Sequence, residues 1–369
     1  DQYLARYDAL LRDHHSARLD QMIWQRDMES ARRALPLVSD GWKALAEARI
    51  ALHDLSPGVD DLIAAVPPSL SDDPGLAFER FVWRDRKGRD ADAIDLLLER
   101  SVSAASLGQP AEWAPRRRNI ARALMRGGNP RQAYRVASTH FLTEGASFAD
   151  LEWVSGYLSL TYLDDPAQAL AHFQAFDAAV FTPISKGRAG YWIGRAHEAL
   201  GQGDAARAAY AAGAQHQTSF YGLLAAERGG VAFDDTLAGT APVAPWREAI
   251  FVDNSVFRAG LLLLAAGEMR LAERFLTHLA EALTPEQGAQ LGAAAIELQQ
   301  PHIAVMIGKR LAQAGIVVPA AYYALHPLAD APLPMHPEMN LAIARRESEF
   351  DPSVVSGAGA QGLMQVMPR

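Results

Sequence analysis

One pattern recurs along most of this chain and constrains its fold. A segment with apolar residues at three- and four-residue spacing ends at a polar or glycine-containing turn, and the next segment begins with an alanine a few residues later. The copies can be aligned on these alanines, which are Ala93, Ala133, Ala169, Ala208, Ala272 and Ala304. The steps between them are 40, 36, 39, 64 and 32 residues, and the longest is close to two steps. The pattern predicts consecutive helical hairpins.

The turns between the paired segments show why helices would stop and restart there. Pro130 and Pro166 stand at a first helical position, where the missing N–H costs no hydrogen bond, and the Asn or Asp before them can cap the new helix. The small alanine lets the two helices approach closely. Repeats of this length are typical of tetratricopeptide-type solenoids. We therefore predict an all-α fold in which helical hairpins stack into an α-superhelix.

Two interruptions divide the helical pattern. A Gly- and Pro-rich stretch over residues 229–246 is a candidate sub-boundary within the superhelix. After residue 318, five prolines fall within nineteen residues, which breaks the helical pattern and indicates a connector. We predict a superhelical domain over residues 1–316, a connector over 317–337, and a further helical domain whose first part is residues 338–369.

Composition excludes several classes of protein. Hydrophobic residues make up 49% of the chain and charged residues 21%, which is typical of a folded protein with buried cores. There is no cysteine, so disulfides, zinc–thiolate sites and cysteine nucleophiles are excluded. The formal net charge of −8 provides no positive field for nucleic acid. The longest apolar run, residues 259–267, is far short of the roughly 20 residues of a transmembrane helix.

Aromatic residues lie among the repeats, and two interpretations are open for them. Packing inside the helical hairpins is the simpler one. The other is a concave surface that lays aromatic faces against sugar rings. The residues concerned are Trp83, Trp153, Tyr157, Tyr191, Trp192, Phe220 and Tyr221.

A candidate acid lies near the C-terminus. A helix with apolar residues on one side is expected to run to about Phe350, which places Glu347 in its last turn. Asp351 precedes Pro352 and is disfavoured from helical geometry. The negative end of a helix dipole disfavours a charged carboxylate, and burial disfavours it further. Both effects suit a general acid that must hold its proton near neutral pH.

A glycine-rich stretch follows this helix. Three glycines within residues 357–362 permit backbone conformations that are closed to other residues, and they allow close approach of a ligand. Gln365 lies among apolar residues, and its amide can both donate and accept hydrogen bonds. A carboxylic acid that faces a glycine-built loop with one amide suits a carbohydrate-binding cleft.

These residues also form a recognisable motif. The series Glu347-Ser-x-Phe-x-Pro, Val-x-Ser356 and Gly359-Ala-x-Gly-Leu-Met-Gln365-x-Met-Pro368 resembles, in order and spacing, the opening of the catalytic domain of the soluble lytic murein transglycosylase family. The resemblance extends back into the superhelical domain that precedes the catalytic domain in this family. The segments that carry it there are 191–196, 199–201 and 220–222.

The resemblance implies a lysozyme-like α-helical domain that cleaves the β-1,4 bond between MurNAc and GlcNAc in peptidoglycan and leaves 1,6-anhydromuramic acid ends. By similarity, Glu347 is the single catalytic acid/base. Ser356 is a polar partner beside the cleft, Gln365 is a ligand of the sugar, and Met364 or Met367 forms the apolar wall. No metal and no cofactor is implied. The histidines show no metal-ligand spacing, so each is expected to have a neutral role on or near the surface.

Three residues next to the acid are expected to have structural roles. Glu349 should point away from Glu347, because the two are only two positions apart on a helix. Asp351 should serve as a turn or capping residue. Ser348 should form structural hydrogen bonds, because no histidine lies nearby in the motif to activate it as a nucleophile.

The family resemblance further implies a periplasmic protein of cell-wall turnover, with peptidoglycan strands and other cell-wall enzymes as partners. The chain begins at Asp1 without a methionine or a signal peptide, as expected of a mature exported protein or a trimmed chain. It stops at Arg369, before the Tyr and the Asn that the later part of the family's domain supplies to the active site. A chain that ends there is expected to have little or no activity.

A second interpretation is a helical-repeat scaffold that binds glycan or protein partners and carries an incomplete, inactive catalytic module. Glu347 and the run 359–368 favour the enzyme, whereas the end of the chain favours the scaffold. A helical nucleic-acid binder fits poorly with the acidic balance. The sequence therefore favours a lytic transglycosylase.

Overall fold

The computed structural model describes residues 6–7 and 10–368, so the outer bounds of the predicted domains, residues 1 and 369, lie outside the described residues. Helices make up most of the described part, and the β-structure in it consists of two isolated antiparallel bridges, Val355–Gln361 and Gln361–Val366. The predicted all-α fold is confirmed. No described helix is both long enough and apolar enough to cross a lipid bilayer.

The α-helices are numbered here in chain order. The first eleven are α1 (His15–Trp24), α2 (Met28–Ala34), α3 (Asp40–His53), α4 (Val59–Ala64), α5 (Pro74–Arg86), α6 (Asp90–Arg100), α7 (Ala104–Leu107), α8 (Pro110–Arg126), α9 (Pro130–Ser138), α10 (Gly145–Thr161) and α11 (Pro166–Ala179). The others are α12 (Pro183–Ala199), α13 (Gly203–Ala214), α14 (Phe220–Gly229), α15 (Ser255–Ala265), α16 (Met269–Ala280), α17 (Pro285–Glu297), α18 (Pro301–Gln313), α19 (Pro319–Tyr322) and α20 (Pro337–Ser348). Short 3-10 helices cover Arg12–His14, Leu35–Leu37, Asp235–Ala238, Trp246–Glu248, Ile250–Asp253 and Pro327–Asp330.

The chain forms two compact units. Unit 1 comprises the described residues up to Val180 together with Trp192–Ala206, and unit 2 comprises Phe181–Tyr191 together with the described residues from Arg207 onward. The Gly- and Pro-rich stretch that follows α14 lies within unit 2, and so does the predicted connector at residues 317–337, which contains α19. The functional boundaries predicted around that connector stay predictions.

The predicted hairpin turns are present, and most of them share one backbone geometry. A residue with left-handed φ ends the first helix, and the N–H after it bonds to the carbonyl five positions back, as in Asn129 N to Leu124 O at 2.9 Å. This bond is the one that closes a Schellman motif. The turn at Asp164 is one residue longer and is closed by Asp165 N to Ser159 O at 2.9 Å. The left-handed residues of the shared geometry are Gly88, Gly128, Gly201, Gly267 and Gln299.

An alanine lies at the fourth residue of the second helix in each hairpin. Five of the predicted alanines are fully buried there, namely Ala93, Ala133, Ala169, Ala272 and Ala304. The prediction was wrong for the hairpin of α12 and α13, where Ala208 is exposed and Ala206 is buried. Because α13 begins at Gly203, Ala206 holds the fourth position, and its N–H bonds to Gln202 O at 2.9 Å. The start of the helix, rather than the nearest alanine, therefore decides which residue is buried.

A further copy of the hairpin, which the sequence pattern did not reveal, joins α1 to α2. Arg26 is left-handed with φ 64°, and Asp27 N bonds to Met22 O at 2.9 Å. Ala31 is the fourth residue of α2 and is fully buried. The turn lacks the glycine that marks most of the others, so no residue in it indicates a hairpin.

The aromatic residues of the repeats are divided between core and surface. Tyr191 and Trp192 are buried, each less than a tenth exposed, and Trp153 stacks on Tyr157 with ring centroids 5.4 Å apart. Phe220, in contrast, is 69% exposed. Packing therefore accounts for these two buried residues and for the stacked pair, whereas Phe220 contributes apolar surface.

Close helix packing in unit 2 depends on Gly308 of α18. A Cβ at this position would lie 2.6 Å from the backbone N of Tyr322 and 2.7 Å from its Cα. Such contacts cannot be relieved by a side-chain rotation. The segment α19 is therefore held directly against α18.

We expect Gly308→Ala to destabilise the protein. Glycine to alanine inside a helix ordinarily stabilises by about 0.5–1 kcal/mol, but overpacking against backbone costs about 1–3 kcal/mol. The net loss should be about 1–2 kcal/mol in denaturant-induced unfolding. Gly357→Ala is the control, because its Cβ would meet no atom within 4 Å. A stabilised Gly308→Ala variant would contradict the close contact.

A buried polar cluster in unit 1 centres on Glu152 of α10. Its Oε1 lies 2.9 Å from His140 Nε2 and its Oε2 lies 2.7 Å from His172 Nδ1. Leu142 N donates to His140 Nδ1 at 2.9 Å, and Tyr134 Oη lies 3.0 Å from His172 Nε2. Burial disfavours the charged carboxylate, but the hydrogen bonds from both histidines outweigh it and lower the pKa of Glu152 to about 2.

The cluster should make stability depend on pH in a defined range. Because the folded pKa of Glu152 lies below the ordinary 4.5, its charge contributes stability above about pH 4.5, and this is lost as the pH falls towards 2. Glu152→Gln should lower the free energy of unfolding by about 2–3 kcal/mol at pH 7 and by progressively less below pH 4.5. Denaturant midpoints across this range measure the effect, with the exposed Glu144→Gln as control. An equal loss at pH 7 and pH 2.5 would exclude the carboxylate charge as its source.

Candidate active site

Glu347 is the second-last residue of α20, so the structure places it in the last turn, as the sequence predicts. Its side chain is exposed. Within the described residues, no side chain or backbone group forms a hydrogen bond or an ion pair with its carboxylate. Of the two effects expected to favour the protonated acid, the described residues therefore provide the position at the helix end but not the burial.

The helix ends at Ser348, two residues before the predicted end at Phe350. Glu349 and Phe350 both have left-handed φ, 51° and 66°, and Asp351 N then bonds to Ser348 O at 2.9 Å. Left-handed conformation costs energy in residues with a Cβ. Burial offsets this cost at Phe350, which is 2% exposed and stacks on His326 with ring centroids 5.3 Å apart.

Asp351 has the turn role predicted for it. Its Oδ1 accepts from Ser353 N at 2.8 Å and from Ser353 Oγ at 2.7 Å. Burial disfavours the charged form, but the two hydrogen bonds from Ser353 outweigh it and lower the pKa of Asp351. The carboxylate is thereby fixed in the turn that follows the helix.

The glycine-rich stretch forms a small closed loop. Gln361 pairs with Val355 on one side and with Val366 on the other. Ser356 Oγ accepts from Ala360 N at 2.9 Å, and Ser356 N donates to Ala360 O at the same distance. The predicted need for glycine conformations holds at two of the three glycines, because φ is +90° at Gly359 and +74° at Gly362. Ser356 thus braces the loop.

Gln365 also braces this loop, from a strained position with φ 47°. Its Nε2 donates to Val354 O at 3.1 Å and to Gly362 O at 2.9 Å. The two amide hydrogens are therefore used within the loop. Its Oε1 has no donor among the described residues, so the amide can offer a ligand an acceptor.

The two methionines of the motif lie in different environments. Met364 is half-buried and packs against the core of unit 2. Met367 is 57% exposed. Met367 is therefore the one that presents apolar surface, whereas Met364 anchors the loop.

Ser348 joins the helix to the loop. It is 8% exposed, and its Oγ lies 3.0 Å from Ala344 O and 2.9 Å from Leu363 O. The structural role predicted for Ser348 is confirmed. Since Glu347 precedes it directly, this hydroxyl ties the end of the helix that carries Glu347 to the loop of Ser356 and Gln365.

His302 of α18 departs from the neutral role expected of the histidines. Its Nδ1 lies 2.8 Å from Glu349 O, and its Nε2 lies 3.5 Å from Glu273 Oε2. Burial disfavours its charged form, but these two acceptors outweigh burial and raise its pKa above the ordinary 6.5. No motif marks His302 in the sequence, because its partners lie 29 residues before it and 47 residues after it.

Comparison with known proteins identifies the C-terminal segment. Residues 333–369 match a family model described as Transglycosylase SLT domain. No curated protein is similar enough to this chain to count as a relative. The family match includes Glu347, Ser356, Met364, Gln365 and Met367, and the resemblance to soluble lytic transglycosylases that the sequence shows is confirmed.

One solved structure has a fold like that of the chain, and a second aligns more weakly. An inactive mutant of the lytic transglycosylase Slt from Pseudomonas aeruginosa aligns with a TM-score of 0.51 and 18% identity, over 100% of this chain and 64% of that one. The 70 kDa soluble lytic transglycosylase from Escherichia coli aligns with a TM-score of 0.44 and 17% identity, over 97% of this chain and 69% of that one. The chain thus spans about two thirds of the length of these proteins, and the Pseudomonas structure shows the likeness of fold.

Removal of the Ser348 hydroxyl should loosen the loop. Ser348→Ala leaves the part-buried Leu363 carbonyl without this donor, which costs about 1 kcal/mol of stability. Hydrogen exchange of the amides in residues 362–366 should be faster in this variant. Ser71→Ala is the control, because its exposed hydroxyl bonds only to Pro68 O, far from the loop in sequence and in unit 1. Unchanged exchange in the loop would show that Ser348 does not hold it.

Proposed function

We propose that this chain, whose residues 333–369 belong to the transglycosylase SLT domain family, forms the helical part and the first part of the catalytic domain of a peptidoglycan lytic transglycosylase. The bond cleaved is the β-1,4 bond between MurNAc and GlcNAc. By its family resemblance we propose a periplasmic protein, with peptidoglycan strands and other cell-wall enzymes as its partners. The family match, with Glu347 exposed at a helix end inside it, is the observation that carries the proposal.

Glu347 is the proposed acid/base in both halves of the reaction. Its carboxylic acid donates a proton to the glycosidic oxygen as the bond between this oxygen and C1 of MurNAc breaks, which frees the 4-hydroxyl of GlcNAc. The resulting carboxylate then takes the proton of the MurNAc 6-hydroxyl as that oxygen bonds to C1. The product is a 1,6-anhydro sugar, no water is consumed, and Glu347 regains its proton.

The arrangement of the described residues supports a one-carboxylate mechanism. Most glycosidases place two carboxylates on either side of the bond. Here the other acids near Glu347 are already engaged, since Glu349 pairs with Lys309 and Asp351 accepts from Ser353. Among the acids at this end of α20, Glu347 has no partner for its carboxylate within the described residues, whereas Glu349 and Asp351 do.

The polar groups left for a sugar are few. Gln365 Oε1 and the Glu347 carboxylate are available, and Met367 supplies exposed apolar surface. Ser356 and the Gln365 amide hydrogens shape the loop. We propose that Ser356 acts mainly by positioning and that Gln365 accepts a hydrogen bond from the substrate. We expect catalysis to need further cleft walls, because the described residues leave Glu347 exposed.

Replacement of the acid tests the function. Full-length protein and its Glu347→Gln variant would be incubated with purified peptidoglycan, and the released muropeptides would be analysed by mass. Loss of general acid–base catalysis should lower the rate about 10²–10⁴-fold or more. Glu338→Gln, at the exposed start of the same helix, is the matched control and should keep the rate of the unmodified protein.

Three outcomes decide between the interpretations. Products with 1,6-anhydro ends that depend on Glu347 support the proposed reaction. Reducing-end products would mean hydrolysis and would end the proposed mechanism. Absence of any product from the full-length protein, with glycan binding retained, would favour the scaffold interpretation.

A further inference from the structure

Two residues of α18 contact the C-terminal end of α20, the helix that carries Glu347. Lys309 forms an ion pair with the Glu349 carboxylate, and His302 Nδ1 lies 2.8 Å from the Glu349 carbonyl. Glu349 is the residue that caps α20, two positions after Glu347. The backbone that sets the direction of the catalytic side chain is therefore bonded directly to the helical part of unit 2.

The ring of His302 faces an acceptor at each nitrogen. The Glu349 carbonyl can only accept a hydrogen bond, and the carboxylate oxygen of Glu273, which lies 3.5 Å from Nε2, is likewise an acceptor. A neutral imidazole carries one N–H, whereas an imidazolium carries two. Only the protonated ring can therefore satisfy both contacts at once.

We propose that His302 is a positioning residue for Glu347. The protonated ring of His302 joins Glu273 of α16 to the backbone carbonyl of Glu349 and so fixes the last turn of α20. The effect of His302 on catalysis rests on the proposed function. The contacts of His302 with Glu273 and Glu349 do not rest on it, because they belong to the fold. Neither Glu273 nor His302 belongs to the segment that matches the family model.

Charged groups from every element around the ring act on this contact. Glu273 of α16 and Asp351 after α20 act on the ring itself. The groups around these contacts are Arg270 of α16, which acts on Asp351, and Lys309 of α18 and Arg345 of α20, which pair with the Glu349 carboxylate. The N-terminus of α18 disfavours a cation at His302. Burial disfavours the charged ring as well, but Glu273, the Glu349 carbonyl and Asp351 outweigh burial and raise the pKa of His302.

The sign of the pH dependence follows from this direction. A group whose folded pKa is raised contributes its stability fully below its unfolded pKa and loses it as the pH rises through the folded value. Above that value, one nitrogen of His302 loses its proton and faces an acceptor without a hydrogen between them. The Glu349 carbonyl or Glu273 is then released, and the last turn of α20 gains freedom.

The first experiment measures the ring directly in this chain. Histidine labelled with ¹⁵N is titrated by NMR, and the His302 signals are assigned by their loss in His302→Gln. We expect the pKa of His302 to lie above the ordinary 6.5, and Glu273→Gln should lower it, because Glu273 favours the charged ring. His278 is the matched control, because it pairs with Glu281 at 3.2 Å on the exposed side of α16. A His302 titration that Glu273→Gln does not move would overturn the proposal.

The second experiment measures the consequence for the helix end and for catalysis. Amide protection in residues 344–352, measured relative to the intrinsic exchange rate at each pH, should fall as the pH passes the His302 titration, and Glu273→Gln should bring this fall to lower pH by the same shift. In the full-length enzyme, the alkaline fall of kcat should move to lower pH by that shift as well, with KM changed little. His278→Gln should leave both curves in place.

The outcomes separate the two proposals. If Glu347→Gln abolishes activity but Glu273→Gln leaves the alkaline limb of kcat unmoved, the positioning role fails and the proposed function stands. If activity does not depend on Glu347, the proposed function fails, and exchange that follows the His302 titration still supports the contact. Exchange that does not follow the titration would overturn the contact in either case.

Discussion

The close approach of paired helices at a buried alanine is the constraint on which the rest of the structure depends. In the six predicted hairpins and in the hairpin of α1 and α2, an alanine is the fourth residue of the second helix, and the turn before it contains one left-handed residue. A larger side chain at this position would hold the helices apart and change the path of everything that follows. The same device recurs from α1 to α18, so small local choices determine where distant residues meet.

The helix that carries Glu347 depends on this frame. Ala344 and Phe350 belong to the same hydrophobic core as the buried residues of α16 and α18, and Leu363 and Met364 of the loop pack against it. Within the described residues the motif segment has no separate core. Its helix end, its loop and its acid are therefore oriented by packing against the helical repeats of unit 2, and by the bonds that His302 and Lys309 make to Glu349.

The polar groups of the motif divide into those that build the site and those left for chemistry. Ser348, Ser356 and the amide hydrogens of Gln365 all bond within the segment. Such internal bonds fix the loop before any ligand arrives, which lowers the ordering cost of binding. The Glu347 carboxylate and Gln365 Oε1 are left with free bonding capacity among the described residues, and they are the groups that a substrate can use.

The sequence by itself determined the all-α fold, the sites of most hairpin turns, and the position of Glu347 in a last helical turn. These follow from local rules, since helical periodicity, glycine at left-handed positions and a proline after a helix act within a few residues. It failed where the signal was not local or was absent, as at the turn of Arg26, which has no glycine, and at Ala208, where the helix start decides burial. Only the tertiary structure decided that both amide hydrogens of Gln365 bond within the loop and that His302 contacts Glu273 and Glu349. Such contacts join residues far apart in sequence, and packing alone brings them together.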